Sequence, residues 1–158
     1  MRILLFTFLT LIFFVGCSQK GNATRYFENS EKVVNSIQYT KKIDFNKNNE
    51  NKIAIITSYL NNINKVYKSD KFETFLIAIQ NLDDRDLIQE EMTLELNGRK
   101  PLAFTLVDKK SKFFENIAMK NHWAEYFLVK FPAEKEEKVL ELNFFYKNFG
   151  EEIITFEK

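Results

Sequence analysis

The chain is predicted to fold as an all-β domain, an antiparallel β-sandwich of seven or eight short strands, and three observations carry that prediction. Apolar residues recur at every second position through most of the sequence, the pattern of strands with one buried face. Turn-forming residues interrupt these runs about every 8 to 12 positions, and no long helical repeat alternates with them, which argues against an α/β plan. Apolar residues make up 45% of the 158, with 17 Phe among them, so material for a core is ample.

Taken in order, residues 35–45 form the first expected strand, and the polar run 46–52 is expected to be a loop because it offers nothing to bury. Residues 52–60 are rich in β-branched side chains and are read as a strand, although apolar content alone would also allow a helix over 53–66. Residues 72–81 place Phe75, Ile77 and Ile79 on one face. Met92, Leu94 and Leu96 alternate with polar residues, Asn97-Gly98 turns the chain, and Leu102, Phe104 and Leu106 return inward after Pro101, which predicts a hairpin. Residues 111–121 are expected to be a loop with one helical turn.

Beyond them, Phe127, Val129 and Phe131 share a face of a strand over 125–131, and residues 132–137 form the loop to a return strand over 139–146. That strand turns Leu140, Leu142, Phe144 and Tyr146 to the core. Asn148-Phe149-Gly150 leads into a last strand over 151–156. Trp123, the single tryptophan, is the expected central plug, since burying so large an aromatic removes on the order of 150–250 Å² from water.

The amino terminus has a different character. Arg2 precedes an apolar run from Ile3 to Val15, and Gly16 stands before Cys17, the only cysteine. Crossing a bilayer takes about 20 apolar residues, and this run supplies 13, two of them threonine, before the polar Ser18-Gln19-Lys20 ends it. A basic start, a short apolar stretch and a small residue before the cut are the parts of an export signal.

Phe14-Val15-Gly16-Cys17 resembles the cleavage box of bacterial lipoproteins, with Phe14 where leucine is usual. That resemblance implies cleavage before Cys17, a diacylglyceryl group on its sulfur, and a partner in the membrane itself. Several acyl chains together hold far more firmly than one. Ser18 after the cysteine, rather than aspartate, implies the outer membrane, with the periplasmic or surface side left open. The domain organisation expected is a signal peptide over 1–16, a lipidated cysteine and flexible tether over 17–30, and a β-sandwich over 31–158.

Together with the signal at Val15-Gly16-Cys17, the strings Ile56-Thr57-Ser58-Tyr59-Leu60-Asn61 and Trp123-Ala124-Glu125-Tyr126-Phe127-Leu128-Val129-Lys130-Phe131-Pro132 make the chain resemble small bacterial lipoproteins with an immunoglobulin-like β-sandwich. Such a resemblance implies a fold and carries over no catalytic residues.

Composition narrows the function. Without Arg2, 22 basic residues balance 22 acidic ones, so there is no cationic footprint for nucleic acid. His122 is the only histidine, and no His-x-x-x-His or Cys-x-x-Cys spacing offers a zinc site. A serine triad would need His122 to meet Ser30, Ser36, Ser58, Ser69 or Ser111, and the Gly-x-Ser-x-Gly elbow is absent.

The pairs Glu90-Glu91, Glu136-Glu137 and Glu151-Glu152 are read as solvated charges, because neighbours on a strand point to opposite faces and cannot converge as a glycosidase pair must. Asp83-Asp84-Arg85-Asp86 lacks the ligand spacing of a calcium loop. The expectation is a non-enzymatic, cofactor-free envelope protein that binds another protein or a surface glycan. The alternative is a structural component of a multiprotein cell-envelope assembly.

Overall fold

A computed structural model describes residues 31–82, 92–110, 114, 117 and 121–158. Helix α1 (Glu31–Gln38) leads into β1 (Thr40–Lys47), followed by β2 (Glu50–Tyr59), the single helical turn α2 (Leu60–Ile63) and β3 (Phe72–Asn81). Then come β4 (Met92–Leu96), β5 (Ala103–Leu106), β6 (Glu125–Pro132), β7 (Val139–Tyr146) and β8 (Gly150–Glu157). They build two antiparallel sheets, one of five strands in the order β1-β2-β3-β6-β5 and one of three in the order β4-β7-β8. No helix among the described residues is long and apolar enough to cross a membrane.

The main core gathers buried residues from both sheets. Phe45, Ile55, Phe75, Ile77, Val129 and Phe131 come from the larger sheet, and Leu94, Leu96, Leu142, Phe144 and Phe156 from the smaller. These are the alternate positions that period two selects, so the expected inward faces of residues 72–81, 125–131 and 139–146 hold. Aromatic edges knit the two layers: Phe75 lies 5.6 Å from Phe156 and Phe45 lies 5.1 Å from Tyr146, centroid to centroid.

A second cluster buries the other face of the five-stranded sheet. Leu76 and Ala78 of β3 and Tyr126 of β6 pack with Leu60, Phe114 and Ile117. Strand β3 is therefore covered on both sides, and every residue from Glu73 to Ile79 is buried. Its continuous apolar run is the sequence mark of a central strand rather than of a half-exposed one.

Several expectations need correction. The hairpin across Asn97-Gly98 does not form as a strand pair: β4 pairs with β7 and β5 with β6, in different sheets. Asn97 and Gly98 do adopt left-handed backbone, with φ of 47° and 76°, but the turn closes on a single bridge between Leu96 and Arg99. Pro101 has no N–H to continue that ladder. The chain instead crosses over, and the Leu102 N–H donates to the carbonyl of Lys130 at 2.7 Å. Leu102 and Leu106, expected inside, are 61% and 64% exposed.

Trp123 is not a core plug. It stands 82% exposed in the β5–β6 connection, and Phe75, Phe131 and Phe144 fill the centre instead. Residues 35–38 belong to α1 rather than to a first strand. Ser36 faces inward in that helix and its hydroxyl donates to the carbonyl of Val33, whereas Ile37 is exposed. The loop expected over 46–52 shrinks to Asn48-Asn49, whose φ values of 55° and 63° make a two-residue hairpin turn between β1 and β2. Asparagine tolerates that left-handed backbone better than most residues.

Candidate functional site

The sequence-based site residues Phe14, Val15, Gly16 and Cys17 lie outside the described residues, as do Ser30, Ser111, Asp83-Asp84-Arg85-Asp86 and Glu90-Glu91. His122 is exposed in the β5–β6 connection, where its carbonyl accepts from Lys109 Nζ. Ser36 and Ser58 are buried toward the opposite end of the sandwich, Ser58 sharing a 2.6 Å hydrogen bond with the Thr40 hydroxyl. The register places Tyr59 beside Phe75 and Ile79 beside Glu125, which puts the two ends of β3 far apart and keeps His122 from both serines. Among the described residues, no group of three or more His, Cys, Asp or Glu side chains has a metal-holding arrangement.

What the fold does assemble is a polar cluster where β2 ends and β3 begins. Glu73 is 2% exposed, an unusual place for a carboxylate. Its Oε2 accepts from the Tyr59 hydroxyl at 2.6 Å and from Asn61 Nδ2 at 3.3 Å. Its Oε1 pairs with Lys158 Nζ at 2.6 Å. Lys158 also donates to the carbonyl of Glu134, at 2.7 Å.

One buried charge thus ties together β2, β3, the β6–β7 connection and the residue after β8. A buried carboxylate with three partners satisfies the rule that interior charges must be paired and hydrogen-bonded. Burial, then the bond to Glu73, then its negative charge push the Tyr59 phenol far above its ordinary range, so Tyr59 stays neutral and acts as a donor.

Asn61 organises the same corner. Its Oδ1 accepts from the Thr74 N–H at 2.8 Å, and its Nδ2 donates to the Phe72 carbonyl at 2.7 Å. Asn62 and Asn64 follow at the end of α2. The Asn62 amide reaches the Glu157 carbonyl at 3.4 Å, and Asn64 Oδ1 accepts from the Val66 N–H at 3.0 Å.

Two hollows open on this cluster. The larger, of about 820 Å³, is walled by Asn35 and Tyr39 on one side and by Asn62, Asn64, Lys65 and Lys68 on the other. The smaller, of about 420 Å³, lies over Tyr59 and Glu73 and is bounded by Asp70 and Lys135. Asn61, Asn62, Lys68 and Lys158 line both, so the two form one groove. Volumes between about 300 and 1,000 Å³ are those of small-molecule clefts. Among the described residues, no acidic side chain lines the larger hollow, whereas three lysines do.

A second ionic contact lies on the same end of the sandwich. Arg99 donates two bonds to Glu137, of 2.5 and 2.6 Å, and pairs with Glu134 at 3.0 Å, linking the β4–β5 and β6–β7 connections. The bond to Arg99 holds Glu137 below the usual carboxylate range, against the opposing effect of burial.

Of the residues lining the cleft, sequence reasoning gave a candidate chemical role to Ser69 alone, in a serine triad, and none to Glu73, Lys158 or the amides and lysines of the larger hollow. One signal was available: Glu73 shares its parity with Phe75, Ile77 and Ile79, and a carboxylate on a core-facing row needs a partner. Comparison with protein families, with characterised proteins and with solved structures finds no match to this chain.

Proposed function

We propose that this chain is a lipid-anchored, non-enzymatic envelope protein that binds another protein or a surface glycan through the groove at one end of its sandwich. The observation that carries the reading is the groove itself, a roomy polar hollow whose floor is locked by the paired Glu73, Tyr59 and Lys158. Loops at the ends of a rigid sandwich are where such domains place recognition. The export-signal pattern before Cys17 supports attachment to the outer membrane through lipid.

An immunoglobulin-like fold is part of the proposal. With β1 set aside as an addition, the strand orders β2-β3-β6-β5 and β4-β7-β8 follow the ABED and CFG sheets of a constant-type immunoglobulin domain. The disulfide between the sheets that marks antibody domains has no counterpart in a chain with one cysteine.

Mass spectrometry of the natively made protein tests the anchor: the expected first residue is a lipidated Cys17, and an unmodified Cys17 or a retained residue 1–16 segment would overturn it. Binding is tested by capturing partners from intact cells with the native protein and with a Cys17→Ser variant. A second reading, a fixed part of a larger envelope assembly, is favoured by β5, which has no further strand beside it among the described residues, and by the exposed Leu106 on it and Leu102 just before it. Co-purification of a stoichiometric neighbour after mild detergent extraction would select it.

A further inference from the structure

We infer that the groove takes an acidic oligosaccharide, a ligand of hydroxylated rings bearing carboxylate or phosphate groups. This rests on the binding role proposed above and names the ligand class of that same site. Lys65 and Lys68 form no ion pair among the described residues, and Lys158 commits two of its three donors to Glu73 and Glu134. Ammonium groups only donate, so they ask for an anion, and no carboxylate among the described residues lines the larger hollow to answer them.

The amides supply the second argument. Asn61 spends both amide hydrogens on Phe72 and Glu73 and accepts from Thr74, whereas Asn64 Nδ2, Asn62 Oδ1 and the whole Asn35 amide keep bonding capacity toward the groove. Amides donate and accept, as sugar hydroxyls do, and that reciprocity suits a saccharide better than a simple anion. Tyr39, half-buried on the wall, offers a ring against which the C–H face of a sugar can lie.

A protein side chain would want a different pocket. Protein anchors are aromatic or apolar groups sunk in apolar pockets, and among the described residues the larger hollow has only Ile63 and Tyr39 of that kind. The larger hollow alone, at about 820 Å³, has room for more than one ring, and Asp70 and Glu134 line its smaller neighbour, so the acidic ligand belongs in the larger one.

The test uses the full lipidated chain in a polyoxyethylene detergent, which carries no sugar, and titration calorimetry at low salt. Probes are tetragalacturonate and glucose 6-phosphate, their uncharged counterparts (the methyl-esterified tetramer and glucose), and inorganic phosphate. The expected result is binding of at least one acidic saccharide, weakened about tenfold or more in its uncharged counterpart and in the Lys65→Gln/Lys68→Gln variant, whose thermal melt stays unchanged. The inference is overturned if neither acidic saccharide binds, if charged and uncharged forms bind alike, if the double variant binds as well as the parent, or if inorganic phosphate alone binds as tightly. Capture of a cell-surface partner that survives the double substitution would remove this ligand while leaving the binding role standing.

Discussion

Replacing Glu73 by alanine is expected to destabilise the domain by about 3 kcal/mol. Its side chain is almost wholly buried and accepts from the Tyr59 hydroxyl at 2.6 Å, so its loss leaves that hydroxyl enclosed without an acceptor. A stranded buried donor costs about 1–3 kcal/mol, and breaking a buried ion pair by removing one member costs about 3–5 kcal/mol. Lys158 limits the total, because its side chain is 24% exposed and the freed ammonium can turn to water. In a domain of this size about 1 kcal/mol moves Tm by roughly 4 °C, so the variant should melt about 12 °C lower.

Urea titrations followed by far-UV circular dichroism would measure the effect, since Trp123 is already exposed and a poor fluorescence reporter. A double-mutant cycle adds the decisive number. Tyr59→Phe and Glu73→Leu together should cost less than the sum of the two single changes by about 1.5 kcal/mol, because the pair removes the Tyr59 hydroxyl together with its acceptor. A loss under about 1 kcal/mol for Glu73→Ala, or additive effects in the cycle, would refute the view that this carboxylate holds the end of the sandwich together.

Three further outcomes are expected. Trp123→Ala should change stability by no more than about 0.5 kcal/mol, whereas Phe75→Ala should cost about 3–5 kcal/mol; equal losses in urea titrations would contradict the placement of either ring. Tyr59 and Tyr146 are both held neutral well above the ordinary phenol range, chiefly by burial, so their contribution is complete below pH about 10 and declines as pH rises beyond it. Thermal melts between pH 9 and 11.5 should show that decline, and Tyr59→Phe should lessen it. Glu137 has the opposite sign: its lowered pKa contributes stability above the unfolded value of 4.5, lost as pH falls through the folded one. Acid titration should therefore destabilise the parent more steeply than Arg99→Gln, and identical acid profiles would show that the pair contributes nothing.

Much of the strand pattern was legible because one face of each strand meets the core. Parity alone located the inward rows of β3, β6 and β7, down to Phe75, Val129 and Phe144. Pairing was not legible. Asn97-Gly98 has the chemistry of a hairpin turn and makes the turn, yet the strands on either side find partners far along the chain, β4 with β7 and β5 with β6, because Pro101 stops the local ladder.

Helix α1 is hard to read because it spans only two turns: Val33, Val34 and Ile37 keep helical spacing, but so short a stripe does not stand out from the strand-like run that follows. Trp123 misled through its size: ring area favours burial, but its connection carries it past the end of the sheet into water. The groove was hidden for a different reason. Its residues come from α1, the β2–β3 connection and the chain after β8, a convergence that only tertiary structure creates.

The central strand β3 has one more property. Apolar side chains occupy both of its faces from Phe75 to Ile79, so a slip of one residue would trade one greasy row for another, and the usual penalty against misalignment is weak. Two polar devices replace it. Glu73 keeps its place only while it meets Tyr59 and Lys158, and Asn61 grips the Phe72 carbonyl and the Thr74 N–H, the backbone groups flanking that carboxylate. An amide on a four-residue helix thereby shares in setting the alignment of the central strand, and exchanging it for a side chain without that double grip would remove one of the two.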